Sequence, residues 1–266
     1  MQPFFRELGA GPSVLCLHAN ASSSSQWRTF MENAPHQFHV LAADAFGSGR
    51  SPAWQGGPLR LGDEVALLEP VFAKASKRFA IVGHSYGAAT ALIAATMMPE
   101  RVRALAVYEP TLFSLLDAER DPPNDADGIR FAVTEATAAL RRGAPNLAAQ
   151  RFIDFWMYEG AWAVMPEARR QPILASIENL PHWGDALFNE PTPPEVFAQL
   201  DIPVLYMMGK LSPASSRGVG RLLTAVLPQV EIIEFEGLGH MGPVTHPQIV
   251  NDAIFRFLDA HLNEAV

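Results

Sequence analysis

Apolar residues fall along this chain in short unbroken runs, separated by longer stretches in which they recur every three or four positions. The short runs are VLCLH (14–18), HVLAAD (39–44), FAIVG (79–83), ALAVY (104–108), IPVLYMMG (202–209) and VEIIEF (230–235). Near-continuous apolar runs of this length are what parallel strands covered on both faces require, so each predicts a buried strand. Between them, 62–76, 86–98 and 213–227 carry helical spacing, with Pro70 expected to kink the first. The C-terminal HPQIVNDAIFRFLDAHL reads as a helix that Thr245 and Gln248 open at capping-box spacing. Alternating strand and helix predicts an α/β fold with a mostly parallel, doubly wound sheet. The opening FFRELGAGPSVLCL predicts an antiparallel hairpin at its edge.

The rhythm breaks once. From 111 to 200 there is no strand pattern, only helical stretches such as FAVTEATAALRR and NLAAQRFIDFWMY, rich in Trp, Phe and Met. Ligands of open α/β sheets bind outside the carboxyl ends of the strands. The segment is therefore expected to be a helical lid over that edge, inserted into a core formed by 1–110 and 201–266. The alternative is a set of extra helices packed elsewhere, with the aromatics as their own core.

Charge and cysteine content narrow the class. With 28 Asp and Glu against 20 Lys and Arg, the formal net charge is −8, which argues against nucleic acid and anionic membrane as partners. The single cysteine, Cys16, lies inside an apolar run and reads as packing, in keeping with a reducing cytoplasm. The first residues lack the basic start and apolar stretch of a signal peptide, and no window approaches 18 apolar residues. A soluble cytoplasmic protein acting on a small molecule is expected; the oligomeric state is left open.

Chemistry enters at IVGHSYGAAT (81–90), where an apolar strand meets a small-residue helix through Gly83-His84-Ser85-Tyr86-Gly87. Glycines two before and two after a serine allow a tight strand-to-helix turn. That turn forces the serine into a strained, exposed conformation at a helix N-terminus, as in a nucleophile elbow. The alternative is a glycine turn carrying an idle serine.

Four motifs in order extend the resemblance to nearly the whole chain: LHANASSSSQW after the second strand, DAFGSGRS (44–51), GHSYG, and GLGHMGPVTHP (237–247). Together they resemble the α/β-hydrolase superfamily, in its serine-nucleophile branch. The resemblance implies Ser85 as nucleophile and His240, in the Gly-rich loop after the last strand, as its base. His84 is then a packing residue, His18 orients the backbone of the first loop, and His36, His39 and His261 have no supporting context. Backbone N–H groups of Tyr86 and Asn20 are expected to form the oxyanion hole, with Ala19 standing where the family usually has glycine. Asp44 belongs to the turn and reads as structural.

The acid is where the chain departs from the family. Most members carry it a few residues after the strand that here reads IPVLYMMG, but this chain has Ser212, which followed by Pro213 reads as a helix cap. Some members carry it after the preceding strand, where this chain has Glu109, so Glu109 is the expected acid. The resemblance implies a hydrolase of a small carbonyl substrate, an ester first, that needs no cofactor. Carbon–carbon hydrolases and perhydrolases of the same superfamily, and a non-catalytic ligand-binding receptor, remain open. No His/Asp/Glu cluster has metal-ligand spacing and no glycine motif has the nucleotide pattern. Phe155, Trp156, Met157, Trp183 and Met241 are the expected substrate-binding side chains.

Overall fold

The computed structural model describes residues 1–34 and 38–262, so His36 lies outside the described residues. Seven strands form one sheet: β1 (Phe5–Leu8), β2 (Ser13–Leu17), β3 (His39–Ala43), β4 (Phe79–His84), β5 (Val102–Tyr108), β6 (Val204–Gly209) and β7 (Val230–Phe235). Their order across the sheet is β1-β3-β2-β4-β5-β6-β7. All neighbours are parallel except β1, which runs antiparallel to β3 with Phe5 opposite Ala43. The six apolar runs are thus the six parallel strands. The first segment does add an antiparallel edge strand, but it pairs with β3 rather than forming a hairpin with β2.

Alternation inside the strands divides the core into two layers. Leu15, Leu17 and Ile81 face a layer shared with the helix Tyr86–Met97 and the helices that follow β5. Val14, Cys16, Ala80 and Val82 face the opposite layer, where Phe30 of the helix Arg28–Asn33 meets Ile254 and Phe257 of Pro247–Leu262. Central strands are buried on both faces, which is why they read as unbroken apolar runs. Strand β7 is the exception: it forms the sheet edge, no residue in it is fully buried, and Ile232 is exposed.

Helix boundaries depart from expectation where proline intervenes. Residues 62–76 form two short helices, Leu61–Leu67 and Glu69–Phe72, because Pro70 lacks the N–H that would continue the first. Thr245 does not open the last helix; its hydroxyl donates to the Met241 carbonyl, and the helix begins at Pro247. Between β5 and β6 all regular structure is helical, from Ser114–Glu119 to Pro194–Phe197. Among the described residues no helix is long and apolar enough to cross a membrane.

The junction of β4 with the helix Tyr86–Met97 leaves no room for side chains at its glycines. A Cβ on Gly83 would stand 2.6 Å from the Cα of Ala88 and 2.7 Å from the Gly87 carbonyl oxygen. One on Gly87 would strike the Leu17 carbonyl of β2. Neither glycine takes a positive φ, so both are required by close backbone approach rather than by turn conformation. Gly83→Ala is expected to destabilise the protein by about 1–3 kcal/mol, the usual cost of overpacking. Urea unfolding measures this, and a loss below about 0.5 kcal/mol would contradict the close approach.

Candidate active site

Ser85 lies between β4 and the helix that starts at Tyr86, with φ 57° and ψ −116°. Its N–H donates to the Tyr108 carbonyl at 2.9 Å, tying the turn to the end of β5. The strain expected from the sequence is present; the exposure is not, since Ser85 is buried. Among the described residues only two other non-glycine positions have positive φ, Ala21 (55°) and Glu109 (45°). All three lie in the loops gathered at the carboxyl edge of the central strands, and backbone strain held in this way is typical of functional sites.

The structure brings Ser85, His240 and Glu109 together. His240 Nε2 is 2.9 Å from Ser85 Oγ, and His240 Nδ1 is 2.6 Å from Glu109 Oε2. Both His240 and Glu109 are buried. A buried carboxylate is tolerated only if its lone pairs are used. The second oxygen of Glu109 accepts from Gly209 N at 2.7 Å and from Ser212 Oγ at 2.5 Å. Ser212 is therefore no helix cap: the helix Ala214–Val226 begins without a side-chain cap, and the hydroxyl holds the acid instead. Ser216 Oγ also approaches His240 Nδ1, at 3.3 Å, and the Trp156 ring stacks on His240 with centroids 3.9 Å apart.

Behind this chain runs a polar relay that the sequence reading missed. Ala19 N donates to Gln26 Oε1 at 3.1 Å, Gln26 Nε2 lies 3.1 Å from His84 Nδ1, and His84 Nε2 lies 2.8 Å from the His240 carbonyl. Burial pushes His84 well below the ordinary imidazole range, so the ring is neutral: it accepts from Gln26 and donates to His240. His84 is thus more than packing, since it links the loop after β2 to the backbone of His240. No sequence motif joins three residues so far apart. His18 acts as expected: it meets the Ala19 carbonyl through Nδ1 at 2.7 Å and accepts from Ala45 N through Nε2 at 3.0 Å. Asp44 likewise holds loops, accepting from Ser24 N and from Arg50 N.

Two cavities meet at Ser85. A large one of about 540 Å³ is lined by Asn20, Trp156, Met157, His240 and Met241, and also by Arg28 and Arg169. A small one of about 20 Å³ is lined by Asn20, Thr111, Trp156 and Trp183. Four of the five expected substrate-binding side chains therefore face a cavity. Phe155 faces neither; its ring packs edge-on behind Trp156 at 4.9 Å. Tyr86 points away from both, and its hydroxyl donates to Glu64 Oε1 at 2.9 Å. Its backbone N–H opens a helix and so has no intrahelical acceptor. Among the described residues no group of three His, Cys, Asp or Glu could hold a metal ion.

The α/β-hydrolase fold family model matches residues 12–247. A 2-(acetamidomethylene)succinate hydrolase of Mesorhizobium japonicum is 25% identical, the match covering 96% of this chain and 91% of the relative. A pimeloyl-[acyl-carrier protein] methyl ester esterase of Aliivibrio fischeri is 23% identical over 97% of this chain and 98% of its own length. Among solved structures, an α/β hydrolase from Sphaerobacter thermophilus superposes with a TM-score of 0.72 at 25% identity, over 97% of this chain and 95% of that one.

Glu64, beneath Tyr86, is fully buried; it also accepts from Phe46 N, and desolvation raises its carboxyl from 4.5 to about 7. The folded protein keeps a proton that the unfolded chain releases, so stability falls as pH rises from about 4.5 to 7. Glu64→Gln is expected to remove that slope. Its advantage over wild type in unfolding free energy should grow by about 2 kcal/mol between pH 5 and 8. Chemical denaturation across this range measures the difference, and parallel curves would contradict it.

Proposed function

The chain belongs to the α/β-hydrolase fold family, and within it we propose that the protein is a serine hydrolase of small carboxylic esters that works through an acyl-enzyme. One observation carries the reading: the buried line from Ser85 Oγ through His240 to the Glu109 carboxylate, with links of 2.9 and 2.6 Å. His240 Nε2 takes the proton of Ser85 as Oγ attacks the substrate carbonyl. Glu109 accepts the Nδ1–H, fixes the tautomer and stabilises the imidazolium. The carbonyl oxygen, now an anion, receives backbone N–H groups of Tyr86 and Asn20, with the helix N-terminus behind Tyr86 adding its positive end. The tetrahedral intermediate then expels the alcohol, which takes the proton from His240 Nε2. Water, deprotonated by His240, attacks the acyl-enzyme. The same transfer in reverse releases the acid and restores Ser85.

We read 111–200 as a lid on a core of 1–110 and 201–266. Trp156, from this segment, stacks on His240, and Phe152 lines both cavities. A side chain placed there excludes water from the base and shapes what reaches it. The Aliivibrio relative is named for ester hydrolysis, which favours an ester as the first substrate class to assay.

Ser85→Ala is expected to abolish labelling by a fluorophosphonate probe and hydrolysis of simple esters. Full labelling of the variant would move the nucleophile elsewhere, and no labelling of the wild type would favour a non-catalytic receptor. Glu109→Gln should lower kcat by on the order of 10³ to 10⁴, with labelling slowed in parallel. Ser212→Ala removes one hydrogen bond to a charged group and should lower kcat about 10-fold. A helix-cap role would instead lower stability and leave kcat untouched, so denaturation and steady-state kinetics on one preparation separate the two.

A further inference from the structure

The two cavities at Ser85 are not equivalent, and the position of the base distinguishes them. On the serine-hydrolase reading above, the leaving group must receive its proton from His240 Nε2, which demands hydrogen-bond distance from that atom. His240 lines the large cavity and not the small one. The leaving group therefore lies in the large cavity, and the acyl group projects to the other side of Ser85. We infer that the protein acts on short acyl groups, of about two or three carbons, joined to a larger anionic leaving group.

The small cavity sets the acyl length. Its volume is about 20 Å³, where roughly 10–15 Å³ admits one water, so it holds one or two methyl-sized groups. Its walls are buried: Phe113, Trp183 and Leu187 are almost wholly inaccessible. It is also more than a packing defect. Thr111 Oγ1 and Asn20 Oδ1 are buried without a hydrogen-bond partner among the described residues, and both residues line it. Buried polar atoms left unpaired are costly in folded proteins, and the two residues that carry them line this cavity beside Ser85.

The large cavity sets the charge. Its lining contains Arg28 and Arg169 but neither Asp nor Glu, in a chain whose acidic residues outnumber the basic ones by 28 to 20. Neither guanidinium forms an ion pair or a side-chain hydrogen bond with a described residue, and both are exposed at the mouth. Beside them stand Ser22, Ser23, Ser25 and Thr29. Unpaired guanidinium forks flanked by hydroxyls are suited to a carboxylate or phosphate.

Two matched substrate series test the inference. The first is p-nitrophenyl acetate, butyrate and octanoate; the second is 4-acetoxybenzoate against neutral 4-acetoxybenzamide. Wild-type kcat/KM is expected to fall at least 100-fold from acetate to octanoate, and Leu187→Ala to narrow the acetate-to-butyrate ratio. The benzoate-to-benzamide ratio should drop at least 10-fold in the Arg28→Ala/Arg169→Ala double variant, and drop in wild type as salt rises, because the arginines are exposed. Ratios on one preparation do not depend on the fraction folded. Octanoate cleaved as well as acetate would overturn the acyl assignment, and an unchanged benzoate-to-benzamide ratio would overturn the anionic one. Methanesulfonyl fluoride, small enough for either cavity, keeps the two levels apart. If it modifies Ser85 while the ratios are flat, only this inference fails. If it leaves Ser85 unmodified and no ester is cleaved, the hydrolase reading fails first.

Discussion

The arrangement of this molecule turns on a carboxylate removed from water. Glu109 is 0% exposed, and an ion in such surroundings would cost several kcal/mol if it were unpaired. Three groups meet that demand: the His240 imidazole, the backbone N–H of Gly209 and the hydroxyl of Ser212. Gly209 and Ser212 belong to the end of β6 and the turn after it, His240 to the loop after β7 and Glu109 itself to the end of β5, so satisfying one charge fixes these three strand ends relative to one another. His240 then has one orientation open to it, and that orientation presents Nε2 to Ser85.

The other half of the arrangement is made of backbone contacts. Ser85 can reach His240 because Gly83 and Gly87 let the strand, the helix and β2 approach more closely than any side chain allows. The relay from Ala19 through Gln26 and His84 to the His240 carbonyl couples the loop after β2 to the same histidine. The strained Ser85 and Glu109 are each held from more than one side, Ser85 by Tyr108 and His240 and Glu109 by Met207, Gly209, Ser212 and His240, the condition under which strained conformations persist.

Five of the strands, β2 to β6, were legible in the sequence because they carry near-continuous apolar runs, the signature that burial on both faces leaves. Edges were not. Nothing in FFRELGAGPSVLCL indicates whether the first strand pairs with its successor or with β3, and the apolar residues of VEIIEF do not reveal that β7 is solvent-exposed. Ser85, His240 and Glu109 could be singled out because the motifs that resemble the α/β-hydrolases imply roles for the elbow, for the glycine-rich loop after the last strand and for the end of the strand that precedes IPVLYMMG. The roles of Ser212, Gln26 and His84 could not, since each depends on a partner at least 58 residues away. Ser212 was misread for a physical reason: serine before proline is a good local cap, and a long-range bond to a buried carboxylate outweighs it. Of the aromatics in 111–200, periodicity could not separate Trp156, which faces the site, from Phe155, which packs behind it.

If Glu109 sets the state of His240, the tautomer reports it directly. Nitrogen-15 NMR of histidine-labelled protein, at a pH where the imidazole is neutral, resolves which ring nitrogen carries the proton. The proton is expected on Nδ1, strongly deshielded by the 2.6 Å bond to Glu109, and that deshielded signal is expected to be lost in Glu109→Gln. A neutral His240 with its proton on Nε2 in the wild type, or a signal indifferent to the Glu109 substitution, would contradict it.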